Sequence, residues 1–183
     1  AGLKGEKTLP RRAVCVTFDD GHACILSSAM PVLDALGWTA TVFVPSGLVG
    51  QVHPMNGEEC RLLDADGLRN LQGRGWEIAS HTRTHALLGA MADADALREI
   101  QGGADDLHAM LGTRPKTFCY PGGSYNERTP SLVHQTGLTG ACTTRSGLAR
   151  PVSDPYLLPR VKPATRDGVA GFLYRLLVRP YLR

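Results

Sequence analysis

The chain has 183 residues, a net charge of +3 from 20 Lys and Arg against 17 Asp and Glu, 43% hydrophobic and 6% aromatic residues, and five cysteines. A chain of this size suits one domain with a real core, since folding then buries roughly 70% of the surface that the unfolded chain exposes, and it leaves no room for a second catalytic domain. The near balance of charge, without a block of one sign, gives no reason to expect nucleic acid or an acidic membrane as partner, and no apolar run reaches the ~18 residues of a membrane-spanning helix.

Taken in order, strand-like and helix-like stretches alternate. Ala1 to Arg12 lacks the apolar core of a secretory signal. Arg12 to Phe18 is β-rich, Ala23 to Leu36 carries apolar residues at helical spacing, and Thr39 to Val44 is β-branched and aromatic up to Pro45, which together make a βαβ unit. Ser46 to Arg61 is the longest irregular stretch, of a length that favours a functional loop. Leu62 to Arg74 has a helical stripe of Leu63, Leu68 and Leu71 with Asp64 as N-cap, and Gly75 leads into the short strand Trp76 to Ala79. Asp93 to Leu111 is the longest predicted helix; Gly102 and Gly103 weaken its middle, Gly112 ends it and Pro115 blocks its continuation.

Thr117 to Tyr120 then reads as a strand, Glu127 to Gln135 as a helix, Leu138 to Thr143 and Tyr156 to Val161 as strands, and Asp167 to Leu177 as a closing helix. The repeated order predicts a parallel sheet with helices outside, as a closed or distorted barrel or a doubly wound sheet. Residues 1–183 therefore read as a single domain with its core over about residues 12–178. The segment Phe172 to Leu182, apolar with Arg175, Arg179 and Arg183 interspersed, permits weak membrane-surface contact, although a helix packed on the barrel is the simpler reading. No oligomeric state follows from the sequence.

The cysteines, Cys15, Cys24, Cys60, Cys119 and Cys142, are odd in number and lack C-x2-C spacing. Cys15, Cys119 and Cys142 sit in apolar strand-like runs and read as buried thiols. This leans toward a reducing compartment while leaving both cytoplasm and periplasm open.

Two stretches concentrate the chemistry. Thr17-Phe18-Asp19-Asp20-Gly21 delivers two carboxylates at the end of an apolar run. Neighbouring side chains on a strand point opposite ways, so the two can take different roles if the backbone turns, and Gly21 permits a turn. One would bind a metal while the other sits near a water; the alternative is a plain Asp-Gly turn capping the next helix. Ser80-His81-Thr82-Arg83-Thr84-His85 follows the strand Trp76 to Ala79 and spaces two histidines so that a helix or tight turn brings both rings to one side. An aspartate with two histidines is a three-ligand set for a divalent ion that leaves positions open for water and substrate. His22 and Cys24 read as neighbours, and His53, His108 and His134 as structural or solvated.

These two stretches, together with Phe118-Cys119-Tyr120-Pro121-Gly122-Gly123-Ser124-Tyr125-Asn126, resemble the first three motifs of the polysaccharide deacetylases, carbohydrate esterase family 4, in order and spacing over about Arg12 to Val161. The resemblance implies a distorted (β/α) barrel with fewer than eight regular strands, a divalent metal, most simply zinc with cobalt or nickel as alternatives, and hydrolysis of N-acetyl groups on amino sugars. By position it implies Asp20, His81 and His85 as metal ligands and Asp19 as general base. A backbone N–H near Gly122 would then face the oxyanion, and Tyr125 is the better candidate for sugar contact. Trp38 and Trp76, after glycines at strand starts, read as core.

Two departures stand out. Many family members begin the third motif with arginine and carry tyrosine after its proline, where this chain has Cys119 and Gly122, and the late histidine is absent from Tyr156 to Val161. Arg160, at a late strand end, is the candidate to supply the missing charge. The leading function is therefore metal-dependent deacetylation of an N-acetylated amino-sugar glycan or cell-surface polysaccharide precursor. The alternatives are the same chemistry on a lipid-linked sugar or other small amide, and a non-catalytic glycan-binding relative.

Overall fold

The computed structural model describes residues 13–55, 58–164 and 166–178. Six parallel strands, β1 (Thr17–Phe18), β2 (Thr41–Val44), β5 (Glu77–Ser80), β6 (Thr117–Cys119), β7 (Gly140–Ser146) and β8 (Leu158–Arg160), form one sheet in that order. Helices α1 (Met30–Ala35), α2 (Ala65–Gly73), α3 (Asp93–Leu111) and α4 (Thr129–Gln135) make the crossovers. β3 (Val52–Met55) and β4 (Glu58–Arg61) form a separate antiparallel pair, and α5 (Val169–Leu177) follows β8. The sheet curls far enough for Arg160 of β8 to reach Asp19 just beyond β1, so side chains join its two edges into the distorted barrel expected of so few strands.

Alternation along the strands sorts the core into layers. Val42, Val44 and Ile78 face α1, α2 and α3 with Leu33, Leu63, Leu68, Leu71 and Leu107, while Phe118 and Ala141 meet Ile100, Leu132 and Val133 on the other flank. The residues between them, Phe43, Ala79, Cys119 and Cys142, cluster inside the curl. Three of these four inward side chains are small, which leaves the interior narrow and the strand ends close together.

Local chemistry sets the element bounds. Asp64 caps α2 by accepting the Gly67 N–H at 2.8 Å, and Gly112, left-handed at φ 71°, ends α3. The helix expected over Ala23 to Leu36 begins instead as a wider π turn at Ile25–Ala29, because Pro31 has no N–H to offer the carbonyl of Ser27. The helix expected from Glu127 starts at Thr129, where the Asn126 side chain accepts the N–H groups of Arg128 and Thr129.

Three expectations are corrected and one is refined. The stretch Ser46 to Arg61 is not irregular but carries the β3–β4 hairpin, whose solvent-facing residues give no alternating apolar pattern to read. Gly102 and Gly103, read as weakening α3, leave it continuous and let it approach a neighbouring loop, since a Cβ on Gly103 would lie 2.6 Å from the Thr82 carbonyl carbon. Trp76 is buried, but Trp38 is 56% exposed, having left the barrel at the left-handed Gly37. Cys119 is buried, whereas Cys15 and Cys24 are exposed and Cys60 and Cys142 half-buried, all as free thiols. The closing helix α5 buries none of its side chains among the described residues, and Ala1 to Arg12, Arg179, Leu182 and Arg183 lie outside them.

Candidate metal centre and its paired carboxylate

Both chemical motifs stand at the C-terminal ends of neighbouring strands. After β1 the backbone turns at Asp20 itself, with φ 69°, and continues through Gly21 at φ 70°. The Gly21 N–H closes on the Asp19 carbonyl at 2.9 Å, so the two carboxylates leave the strand in different directions. After β5 the His81 N–H extends the ladder to Val44, and the chain then turns through Thr82 at φ 64° and His85 at φ 63°. Asp20, Thr82 and His85 are the only non-glycine residues with positive φ among the described residues, and such positions cost about 1–3 kcal/mol each. The histidine spacing is thus realised by a strained turn and not by a helix.

The turn brings Asp20 Oδ1 to 3.3 Å from His81 Nε2 and 3.2 Å from His85 Nε2. Ligand atoms about 2.1 Å from a shared ion stand roughly 3.4 Å apart on a tetrahedron, so these separations fit a divalent cation of zinc size. The donor chemistry fits as well. His81 is buried and its Nδ1 donates to the Cys119 carbonyl at 2.7 Å, which leaves Nε2 with a lone pair facing Asp20. With no ion bound, burial works against a charged Asp20, but hydrogen bonds from His81 and His85, with the positive charge a ring carries when its Nε2 is protonated, outweigh it and hold the carboxyl well below the usual carboxylate range; an ion would take the place of those protons. His85 and Asp20 are each about a quarter exposed, which opens the set to solvent on that side. His22 stands 3.8 Å from Asp20 Oδ2 and outside the three-residue donor cluster.

Asp19 takes a different partner. Arg160 Nη1 and Nη2 donate to its two carboxylate oxygens, each at 2.7 Å, as a bidentate fork. The remaining guanidinium protons go to the Thr143 carbonyl at 3.0 Å, the Thr17 hydroxyl at 3.2 Å and the Cys119 sulfur at 3.2 Å, so every N–H of Arg160 is used. Burial disfavours its charge, yet the Asp19 carboxylate prevails and raises its pKa further. Burial, foremost, also pushes the Cys119 thiol up and out of the thiolate range, so it serves here as a packed acceptor.

The two remaining site candidates lie after β6. Gly122, left-handed at φ 59°, sits against Leu87, two residues past His85, and its N–H takes no carbonyl acceptor in the turn where those of Gly123 and Ser124 do. The Tyr125 ring packs at 5.1 Å from that of Tyr120 and carries the Arg145 guanidinium at 5.2 Å. Tyr125 therefore presents a cation beside its ring and not a bare platform. The sequence reading missed Glu99, Asp106 and Ser46, which surround the histidine turn from behind.

Comparison with known proteins matches this arrangement to one group. YxkH of Bacillus subtilis, by name a polysaccharide deacetylase, is 28% identical over 169 residues, covering 92% of this chain and 57% of its own length. A poly-β-1,6-N-acetyl-D-glucosamine N-deacetylase of Staphylococcus aureus is 25% identical over 86% of the chain and 57% of the relative. The chain thus spans little more than half the length of these two relatives. Among solved structures, the Streptococcus pyogenes deacetylase PplD in complex with acetate superposes with a TM-score of 0.84 at 22% identity over 95% of this chain and 74% of that one. IcaB from Ammonifex degensii gives 0.80 at 25% identity over 89% and 72%. The polysaccharide deacetylase family profile matches residues 6–141, most of the chain, and the chain belongs to that family.

Proposed function

We propose that the chain is a metal-dependent hydrolase that removes N-acetyl groups from an amino-sugar glycan. The observation that carries this reading is the adjacency of an Asp20, His81 and His85 donor set to a second carboxylate, Asp19, fixed by Arg160. A divalent ion held by those three residues, zinc by the nitrogen and oxygen donors with cobalt or nickel as substitutes, supplies the Lewis acidity that polarises an amide carbonyl and acidifies a water. Asp19 accepts the proton as the water attacks the acetamide carbon. The arginine fork takes about two of the roughly four acceptor sites on the carboxylate, which leaves room for that proton. Asp19 then returns the proton to the departing amine, a role that falls to it because the late histidine of many relatives is missing from Tyr156 to Val161. The Gly122 N–H faces the developing oxyanion, where one such donor is worth about 3–4 kcal/mol. Tyr125 and Arg145 line the sugar side.

The Staphylococcus aureus relative named for poly-β-1,6-N-acetyl-D-glucosamine makes that polymer the first substrate to test. Incubation of the metal-loaded protein with N-acetylated oligosaccharides is expected to release acetate and leave free amines, and chelation is expected to stop release until a divalent ion is restored. Metal binding without acetate from any glycan moves the same chemistry to a lipid-linked sugar or small amide. Absence of metal binding favours the non-catalytic glycan-binding alternative, which direct binding to the same oligosaccharides then tests.

A further inference from the structure

We infer that one face of α3 is the seat on which the metal-binding turn is held, and that Glu99 is the positioning residue that keeps His81 and His85 in ligating geometry. This rests on reading Asp20, His81 and His85 as the ligand set.

The turn needs such a support. Thr82 and His85 both occupy the left-handed region, which a turn retains only when its surroundings impose it. Between them run Arg83 and Thr84, and these are the residues Glu99 grips. Glu99 Oε2 accepts the backbone N–H of Arg83 at 3.0 Å and of Thr84 at 2.9 Å, while Oε1 accepts the Thr84 hydroxyl at 3.0 Å. All three are charge-assisted hydrogen bonds, and two of them hold backbone directly between the two histidines.

The contacts continue along the helix. A Cβ on Gly102 would come within 3.2 Å of the Arg83 guanidinium carbon, and one on Gly103 would overlap the Thr82 carbonyl. One turn later, Asp106 takes the Arg83 guanidinium through both oxygens at 2.6 and 2.7 Å and the Ser46 hydroxyl at 2.8 Å. Residues 99, 102, 103 and 106 follow the i, i+3, i+4, i+7 pattern of a single helix face. Two adjacent glycines each weaken a helix interior by about 1 kcal/mol, so α3 gives up intrinsic stability to bring its backbone against the turn. Asp106 works through the half-exposed Arg83 side chain, where an ion pair is worth little. Glu99 binds the backbone itself, which singles it out.

Titration of Co2+ into metal-free protein, followed by calorimetry and by the visible absorption band, tests the assignment. Glu99→Ala is expected to weaken Co2+ affinity about 10- to 100-fold and to shift the band, as losses around metal ligands do. Glu99→Gln keeps an acceptor oxygen for the two N–H groups and an amide for the Thr84 hydroxyl, so it is expected to stay within about threefold of the parent. A residue that only stabilised the fold would lower the melting temperature and leave the affinity and spectrum of the folded protein unchanged. That result for Glu99→Ala overturns the inference, as does Glu99→Gln falling as far as Glu99→Ala. If Glu99→Ala does not fold, Glu99→Asp draws the carboxylate back by one methylene and is expected to weaken binding about tenfold; unchanged affinity there overturns the inference too. Parent protein that binds no Co2+ overturns the ligand set itself, a failure distinct from that of Glu99.

Discussion

The histidine turn and the Asp19–Arg160 pair lie at the same end of the barrel but are built in different ways. The turn is fixed by many supports from several elements: the β2–β5 ladder, the Ser46 and Gly47 N–H groups on the Thr82 and Arg83 carbonyls, the Cys119 carbonyl behind His81, and the α3 face. The carboxylate Asp19 depends on one side chain arriving from the other edge of the sheet, more than 140 positions away in the chain. The candidate ion-holding half is supported redundantly from several elements, whereas the carboxylate of the other half has a single charged partner. Changes at the first should therefore be graded and distributed, and changes at the second abrupt.

Substituting His81 and Asp19 separates the halves most sharply. His81→Ala is expected to lose both metal and turnover, while Asp19→Asn keeps the metal and loses turnover by about 10²- to 10⁴-fold, the span of general acid–base contributions. Metal content and acetate release measured on both proteins check this, and equal metal loss in the two would dissolve the division between them.

Arg160→Ala probes the single attachment. It leaves the base present but free to swing, which is expected to cost about 10²-fold in kcat with the metal affinity unchanged. Arg160→Lys should not restore the rate, because an ammonium cannot form the fork. Recovery of parental activity by the lysine variant would mean that charge alone suffices.

The smallest expected effect tests the redundant half. Gly103→Ala forces α3 and the Thr82 carbonyl apart and is expected to destabilise the protein by about 1–3 kcal/mol, while weakening Co2+ affinity less than Glu99→Ala does. Thermal melts and Co2+ spectra together read it. A parental melting temperature would contradict the close approach.

Legibility in the sequence follows the same divide. α3 was readable end to end, since its apolar period stops at a glycine that takes the left-handed conformation, and Asp64 announced α2 by its capping chemistry. The residues brought together as Asp20, His81 and His85 lie on contiguous stretches next to their strands and were visible as such. What escaped is what depends on neighbours distant in the chain. None of the described side chains of residues 52–54 and 59–61 is buried, Trp38 was placed inside because it follows a glycine at a strand start while the left-handed Gly37 sends it out, and the glycines of α3 were read only as weakening it because the turn they accommodate lies elsewhere in sequence. Glu99, Gly102, Gly103 and Asp106 do share a helix face, a polar and small-residue stripe where an apolar one is normal, and that anomaly was the available signal. Position at a strand end pointed to Arg160, but its use of every N–H could only be seen in three dimensions.

The side-chain joint between β8 and the end of β1 also sets an order in time. As the chain emerges from a ribosome, every donor of the ion-holding set has been made once His85 appears, yet Asp19 has no partner until the strand bearing Arg160 is synthesised and docked. On the proposed reading, nascent or clipped chains that stop after β7 would carry the candidate ligands without the arginine that fixes the candidate base, and hydrolysis would wait on the last strand of the barrel.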